Sequence, residues 1–455
     1  MFLALLAMMA APAGWIPARW ASNDAASLKL LEGTPVNCLV LERADWLAAF
    51  HKAAAERGIA ALGVVRPGDD TAELAAQASA AGLSGILFEG DFEEAALAKL
   101  RAALADSKLA SVALVPRTKL RFGGGDAVIG TYQGVWPGIN TVEDGKTKAA
   151  PSGAPWIDTN AGFLRFLKAS TEAVIWMGHR TPENQVIPGA RYVQAIADAE
   201  MLGAHWIIDL DAEFRKRLLS GEEKALADWK RMMAVLAYFN ERPEWRRLAP
   251  YGRLALVQDA ESGGLFSGGV LDMISVKHTP VRAVPNPKLS DAEMRTAKMA
   301  VDVDPSLLTP EQKEVLRRFT RAGNTLLTAP PGWKMPQQRP DQITIDKDDV
   351  SKLDQIWKEV NSMTYRHNLG VRLFNVASTL TYLAGDAEGR RLVLHLVNYS
   401  DYDVEAVTAH FLGKYADVTL HAPGQAPRKL APFEIEEGTG VEIDRFATVA
   451  TLVIE

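Results

Sequence analysis

The chain has 455 residues, more than one ordinary hydrophobic core supports, so we expect about two to four domains. Hydrophobic residues make up 48% and charged residues 23%, which places the chain among ordinary soluble globular proteins. The net charge is -6 and the two signs are interspersed, so no basic stripe is available to bind a phosphate backbone and nucleic acid is excluded as an expected partner.

Residues 1–14, MFLALLAMMAAPAG, form an apolar run followed by the A-x-A pattern of Ala11, Pro12 and Ala13. This pattern predicts a signal peptide and therefore a secreted or periplasmic protein. The run is too short to span a bilayer, so no membrane span is expected. It also lacks the Lys or Arg that usually precedes such a run, which an incorrectly assigned start codon would explain.

From residue 36 to residue 210, short apolar runs alternate with helical patterns, as in parallel βα units. We predict seven strands, at residues 36–42, 59–65, 84–89, 110–115, 127–132, 173–177 and 205–210. The fold class is therefore α/β, with a (β/α) barrel over residues 15–250 in which one strand is degenerate or unrecognised. An open doubly wound sheet is the alternative, but no GxGxxG motif follows the first strand.

The sequence pattern changes after residue 250. Residues 251–345 contain four further apolar runs and one helix with clear end signals, in which Thr309 is the N-cap, Pro310 the first helical residue and Gly323 the stop. This part is predicted to be a compact second α/β domain. Residues 346–455 begin with a linker helix and continue as strands that alternate with period two, which predicts a small β-sandwich.

Three segments in this order, RLALVQD, RRFTRAGNTLLTAPPGW and LVLHLVNYSDYDVEAVT, together with the preceding barrel, indicate a family. The chain resembles glycoside hydrolases built like the family 42 β-galactosidases and related hypothetical glycosidase-like families. The resemblance implies a TIM barrel, a flavodoxin-like middle domain that often mediates contacts in a homo-oligomer, and an accessory sandwich. It also implies catalytic glutamates after barrel strands four and seven. Here the fourth recognised strand runs into Arg117 instead, so that pair cannot be carried over.

Glycoside hydrolysis requires two carboxyl groups at the end of the barrel where the strands terminate, within about 10 Å of each other. Asp209 and Asp211 are our first candidates, because residues two apart on a strand face the same side. Glu42 and Glu89, which each end an apolar strand, are the second. Asp211 could instead cap the next helix, and either glutamate could simply pair with an arginine. Asp91 also follows a predicted strand.

Candidate substrate-binding residues follow the fifth and sixth recognised strands. The stretch YQGVWPGI opens a connection, residues 133–160, far longer than βα loops usually are. Aromatic rings flanked by Gly and Pro could stack on sugar faces, although core packing of the same rings is equally expected. Polar side chains beside these rings are candidates for binding the substrate. Asp158 is one of them, but it could instead lie in the N-cap region of the next helix. These candidates are Tyr132, Gln133, Trp136, Trp156, Asp158, His179 and Arg180.

The sequence thus predicts a glycoside hydrolase that acts on an oligosaccharide or polysaccharide by carboxylate acid/base catalysis. No motif of paired His or Cys residues is present, so neither a metal site nor a cofactor is expected. Two alternatives stay open. One is a non-catalytic carbohydrate-binding or scaffold protein with a decayed barrel. The other is a uronic-acid lyase or isomerase, suggested by Arg117, Arg180 and His179.

Overall fold

The structure is a computed structural model that forms two compact units. The first unit comprises Met1–Gly134, Glu172–Tyr192 and Ala204–Met233, and the second comprises Val135–Thr171, Val193–Gly203 and Ala234–Glu455. The structure describes residues 12–123, 125–137, 139–141, 147–149, 159–181, 184–258, 278–302, 304–328, 347–364, 367–376, 379–386 and 388–455.

The first unit contains a parallel sheet of eight strands that is nearly closed into a barrel. A backbone bridge between Ala18 and Ile208 joins the first strand to the chain just beyond the last, where the Arg19 amide donates to the Ile208 carbonyl at 2.8 Å. The predicted barrel is therefore confirmed, and the doubly wound alternative is wrong. In sheet order the strands are β1 (Pro17–Arg19), β2 (Cys38–Leu41), β3 (Ala60–Val65), β4 (Gly85–Glu89), β5 (Ala110–Val115), β6 (Val128–Thr131), β9 (Val174–Met177) and β10 (Ala204–Trp206).

The unrecognised strand is β1, which pairs with β2 in parallel register. It has only three residues and begins with Pro17, which cannot donate a ladder hydrogen bond, so no run of β-forming residues reveals it. The last strand also differs from its prediction, because β10 ends at Trp206 rather than at residue 210. The two aspartates that follow are therefore not on a strand.

The barrel interior is filled by one cluster of buried apolar side chains, to which six of the eight strands contribute. Val40, Leu62, Leu87 and Leu114 point inward together with Trp176. Inward positions recur at every second residue, as the pleat of a strand requires. The residues between the inward positions are buried as well, so the strands read as continuous apolar runs, which is why seven of the eight were recognisable.

Among the described residues up to 246, eight α-helices occur, and the connections after β1 and β5 contain none. The helices are α1 (Ala48–Ala55), α2 (Leu74–Ala80), α3 (Glu94–Ala105), α4 (Ala161–Ser170), α5 (Gly189–Glu200), α6 (Ala212–Leu219), α7 (Glu223–Asn240) and α8 (Pro243–Arg246). None of the helices in the described part of the chain has the length and apolar character that a bilayer crossing needs.

The second unit includes an open parallel sheet of four strands, in the order β13 (Val281–Pro285), β12 (Leu254–Gln258), β14 (Met299–Asp302) and β15 (Thr325–Thr328). Relative to chain order this is 2-1-3-4, the order in which flavodoxin-like sheets begin, but the flavodoxin-like assignment itself stays a prediction. Helices α9 (Asp291–Met294) and α10 (Pro310–Arg321) lie between these strands in the chain.

The same unit ends in two antiparallel sheets, β11-β17-β18-β24-β20-β21 and β16-β19-β23-β22. Leu394 and Leu452 of the first sheet share one buried core with Phe411 and Val441 of the second, as in the predicted sandwich. A short antiparallel pair, β7 with β8, lies in the long connection. The bounds are β7 (Ile139–Thr141), β8 (Thr147–Ala149), β11 (Ala249–Pro250), α11 (Lys347–Thr364), β16 (Val371–Phe374), β17 (Thr379–Gly385), β18 (Leu392–Asn398), β19 (Val404–Leu412), β20 (Val418–His421), β21 (Arg428–Leu430), β22 (Phe433–Ile435), β23 (Gly438–Phe446) and β24 (Val449–Ile454).

Replacing Thr309 with Ala should destabilise the first turn of α10. Thr309 and Gln312 form a capping box, in which the Gln312 amide donates to the Thr309 hydroxyl at 3.3 Å and the Thr309 amide donates to the Gln312 side chain at 2.8 Å. We expect a loss of about 1 kcal/mol, measured by hydrogen exchange of the α10 amides. Thr309→Ser keeps the hydroxyl and is the control. Equal protection in both variants would contradict the cap.

Candidate functional site

Polar side chains follow every strand of the barrel at the end where the strands terminate, which we call the barrel mouth. β2 and β3 are each followed directly by a charged residue, while β1 and β4 end on one, and the other strands supply theirs within three residues. In parallel sheets these ends meet at one edge, so the residues form a ring. This strand-end ring consists of Arg19, Glu42, Arg66, Glu89, Arg117, Gln133, His179, Arg180 and Asp209.

Arg19 lies at the centre of the charged part of the ring. Its Nη2 pairs with Glu89, its Nη1 lies 3.6 Å from Glu42 Oε1, and its Nε lies 3.9 Å from Asp209 Oδ2. The Arg19 side chain is only 9% exposed and that of Glu89 only 6%. A guanidinium buried to this extent requires counter-charges, and here three carboxylates supply them.

Arg66 forms a second link between the two glutamates. Its Nη1 and Nη2 donate to Glu42 at 2.7 and 2.9 Å, and the same Nη2 donates to Glu89 Oε2 at 2.8 Å. Both carboxylates therefore accept a hydrogen bond from the same nitrogen atom, Arg66 Nη2. The two accepting oxygens, Glu42 Oε1 and Glu89 Oε2, lie no farther apart than two hydrogen-bond lengths. This meets the condition that at least two strand-end acids lie within about 10 Å.

Arg180 approaches the same cluster from the solvent side. It pairs with Glu42 Oε1 and its side chain is 52% exposed, the most of any arginine in the cluster. Glu42 consequently interacts with three guanidinium groups, those of Arg19, Arg66 and Arg180. Both glutamates thus pair with arginines, which is the alternative to a catalytic role that the sequence left open for them.

The surroundings shift the pKa values of two acids in opposite directions. Burial is the largest single influence on Glu42 and would raise its pKa, but the hydrogen bond from Arg66 and the charges of Arg180, Arg66 and Arg19 together hold the pKa below its usual value. Burial raises the pKa of Asp209, and Arg19, the Thr181 amide and Arg180 offset this only in part. The ring therefore contains one carboxyl that favours ionisation and one that resists it.

Asp211 does not belong to this cluster, so the expectation that it faces the same side as Asp209 is wrong. Its carboxylate accepts from the Phe214 amide at 2.8 Å as the N-cap of α6, and also from the Ile187 amide at 3.1 Å and the Tyr192 hydroxyl at 2.9 Å. The reason is that β10 ends at Trp206, so strand alternation no longer orients the two aspartates. Asp211 is a structural cap.

Arg117, Gln133 and His179 form a second group within the ring. The backbone amide and Nε of Arg117 donate to the side chain and backbone oxygens of Gln133 at 2.7 and 2.8 Å. Burial lowers the pKa of His179, and the charge of Arg117 lowers it further against a hydrogen bond to the Gly134 backbone. The surroundings of His179 therefore favour the neutral imidazole.

Tyr132 is half-buried and packs on the barrel core, and its pKa is raised by burial and by the charges of Asp91 and Glu89. Asp91 itself is largely exposed and pairs with Lys119 at 2.5 Å. Of the three aromatic candidates, Tyr132 is the one that the structure describes beside the ring.

Trp136 is buried, with 3% of its surface exposed, so the expectation that its ring is presented to a ligand is wrong. The preceding residue explains this. Asn160 accepts from the Val135 amide at 2.7 Å and donates to the Val135 carbonyl at 2.9 Å, which fixes the chain just before Trp136. Trp156 and Asp158 lie outside the described residues.

The sequence patterns did not reveal Arg19 or Arg66. Arg66 directly follows the apolar run of β3, just as Glu42 directly follows that of β2, and this shared position was the available signal. Arg19 was hidden because its strand is too short to recognise. Within the residues that the structure describes, no group of three or more His, Cys, Asp or Glu side chains is arranged to hold a metal ion.

No protein-family model and no curated protein matches the chain. Among solved structures, it is similar to α-L-fucosidase isoenzyme 2 from Paenibacillus thiaminolyticus, with a TM-score of 0.61 and 12% identity over 95% of this chain and 96% of that one. At this identity the likeness shows a shared fold.

Two other solved structures are less similar to the chain. A rhamnosidase from Novosphingobium sp. PP1Y has a TM-score of 0.45 and 10% identity over 90% of this chain and 39% of that one. The glycoside hydrolase domain of PelA from Pseudomonas aeruginosa has a TM-score of 0.28 and 15% identity over 44% of this chain and 96% of that one. The resemblance to family 42 itself stays a prediction.

Replacing Asp211 with Ala should destabilise the first unit without acting through the ionic cluster. The change removes the acceptor of three hydrogen bonds, two of them from backbone amides. We expect a loss on the order of 2 to 4 kcal/mol in urea denaturation, with hydrogen exchange locating the change at α6. Asp91→Ala, at an exposed acid, is the control and should leave stability nearly unchanged. A stable Asp211→Ala protein would refute the structural role.

Replacing Arg180 with Gln should raise the pKa values of both Glu42 and Asp209, because the Arg180 charge lowers both. Carboxyl chemical shifts followed by NMR during a pH titration measure this directly. Arg57→Gln removes the same charge from the chain before β3, at the opposite end of the barrel, and should leave both values unchanged. A fall in either pKa in Arg180→Gln would contradict the cluster.

Proposed function

We propose that the protein is a glycoside hydrolase that acts on an oligosaccharide or polysaccharide at the barrel mouth. The observation that carries this proposal is the pair of carboxyl groups, Glu42 and Asp209, placed around Arg19 with pKa values shifted in opposite directions. Glycoside hydrolysis needs one carboxyl that keeps its proton and one that is ionised, and environments that push two pKa values apart assign those roles.

In this proposal Asp209 is the general acid that protonates the departing glycosidic oxygen. Glu42 is the carboxylate that assists attack at the oxocarbenium-like centre, and its 35% exposure lets it reach a bound sugar. Glu89 is nearly buried and binds both Arg19 and Arg66, so it acts as a positioning residue that holds these two guanidinium groups in place. Tyr132 and Arg180 would contact the substrate at the rim.

The shared fold supports the proposal. The fucosidase that has this fold aligns with nearly the whole chain, and a fucosidase is by its name an enzyme that cleaves glycosides. From this likeness we propose the reaction, hydrolysis of a glycosidic bond. The identity of the sugar is to be determined by experiment. The apolar run and A-x-A pattern of residues 1–14 support a further proposal, that the protein acts in the periplasm or outside the cell.

The second candidate is a carbohydrate-binding protein with a decayed barrel. One observation favours it: Glu42, Glu89 and Asp209 all contact guanidinium groups, so no carboxylate of the cluster is free of a positive partner. A catalytic carboxylate in such a setting must lose an arginine contact when substrate binds. The uronic-acid lyase or isomerase is a third candidate, since His179, whose surroundings favour the neutral imidazole, is a group that can act as its base.

Asp209→Asn should lower hydrolysis by about two to four orders of magnitude, because general acid catalysis contributes that much. We suggest a panel of nitrophenyl glycosides and unactivated oligosaccharides, with product release measured by chromatography. A general acid is needed less for a nitrophenolate leaving group, so the loss should be larger on unactivated substrates. Glu42→Gln should lose activity on both kinds.

Asp91→Asn is the matched control, since it changes an acid two residues beyond Glu89 that lies outside the ring. It should keep nearly full activity. Full activity of the Asp209→Asn protein would contradict the role of Asp209 as the general acid. Unsaturated sugar products would point to a lyase, and binding without turnover in the wild type would favour the carbohydrate-binding candidate.

A further inference from the structure

We infer that the sugar bound at the barrel mouth carries a carboxylate, as in uronic-acid saccharides, and that Arg180 binds this group. The inference rests on the proposed function for its site and deepens it by naming the substrate class. Three properties of the strand-end ring lead to it, namely its charge balance, the exposure of Arg180 and the way Glu42 shares its partners.

The first property is an excess of positive charge. Among the described residues of the ring, the three guanidinium groups of Arg19, Arg66 and Arg180 face the three carboxylates of Glu42, Glu89 and Asp209. The proposed acid must hold its proton before the reaction, which leaves two negative charges in the ring. His179 adds no negative charge. A ring in this state attracts an anion, and a substrate carboxylate would restore neutrality.

The second property is that Arg180 is the guanidinium a ligand can reach. It is 52% exposed, whereas Arg66 is 34% and Arg19 only 9% exposed. Its partner Glu42 already accepts two hydrogen bonds from Arg66. Arg180 can therefore exchange Glu42 for another carboxylate without leaving Glu42 unpaired. The planar guanidinium fork matches a carboxylate in bidentate geometry, which favours a uronate over a neutral hydroxymethyl group.

The third property links binding to the chemistry. In the free protein three guanidinium groups hold Glu42, which stabilises its charge and makes it a weak base. When a substrate carboxylate pairs with Arg180, Glu42 loses its contact with Arg180. Glu42 then becomes a stronger base beside the bound sugar. A neutral sugar leaves Arg180 on Glu42. The same arginine would therefore select the acidic sugar and release the carboxylate that acts on it.

Binding can be tested separately from hydrolysis with the Asp209→Asn protein, which should bind without turnover. We suggest calorimetry with defined oligomers of galacturonate, glucuronate, mannuronate and guluronate, each against its carboxyl-reduced neutral counterpart. At least one uronate should bind at least about tenfold more tightly than its counterpart, as expected for one charge-assisted contact. Its affinity should fall with rising salt concentration.

Adding Arg180→Gln should abolish this preference and flatten the salt dependence, whereas Arg57→Gln, at the opposite end of the barrel, should preserve both. Equal affinity for the neutral counterparts, binding of none of the uronates, or an unchanged preference in Arg180→Gln would each overturn the inference. Failure of the proposed hydrolysis would show separately, as uronate binding by the wild type with no product formed.

Discussion

The site depends on one interaction, the ion-pair contacts of the nearly buried Arg19 guanidinium with Glu42, Glu89 and Asp209. A positive charge at 9% exposure is unfavourable unless carboxylates surround it, so the arginine fixes where these three acids stand. Their strands are not neighbours: β2, β4 and the chain beyond β10 all converge on the end of β1. The bridge from Ala18 to Ile208 that closes the barrel is thus also what brings Asp209 to Arg19.

The chemistry of the cluster follows from unequal burial and unequal shares of positive charge. Glu42 is partly exposed and faces three guanidinium groups, so its pKa falls below the usual value. Asp209 is more buried, and burial outweighs the opposing charges of Arg19 and Arg180, so its pKa rises. A cluster that is otherwise a structural ion-pair network thereby acquires two carboxyls suited to different roles. Networks of this kind also hold folds together, and the nearly buried Glu89 has only that positioning role here.

The aromatic stretch YQGVWPGI serves the fold more than a ligand. Tyr132 packs on the barrel core, and Gly134 allows the chain to pass close to Trp206, where an added Cβ would lie 2.6 Å from the indole ring. Asn160 then holds Val135 by both its amide and its carbonyl, and Trp136 is buried. Glycine and proline beside an aromatic residue therefore mark a place where the backbone must approach a neighbour closely, and such a place can lie in a core as well as in a cleft.

The sequence alone determined the fold class, because parallel strands covered on both sides must be continuous apolar runs, and seven of them stand out. It also placed the candidate acids Glu42, Glu89 and Asp209 at strand ends, which share one rim of a barrel. It could not reveal β1, whose three residues carry no periodicity, and so it missed Arg19. It could not assign different roles to Asp209 and Asp211. Their orientation depends on where β10 ends, and Asp211 becomes an N-cap only once α6 has formed. Which charges surround each acid was decided by the tertiary structure alone, since residues far apart in the chain supply those charges.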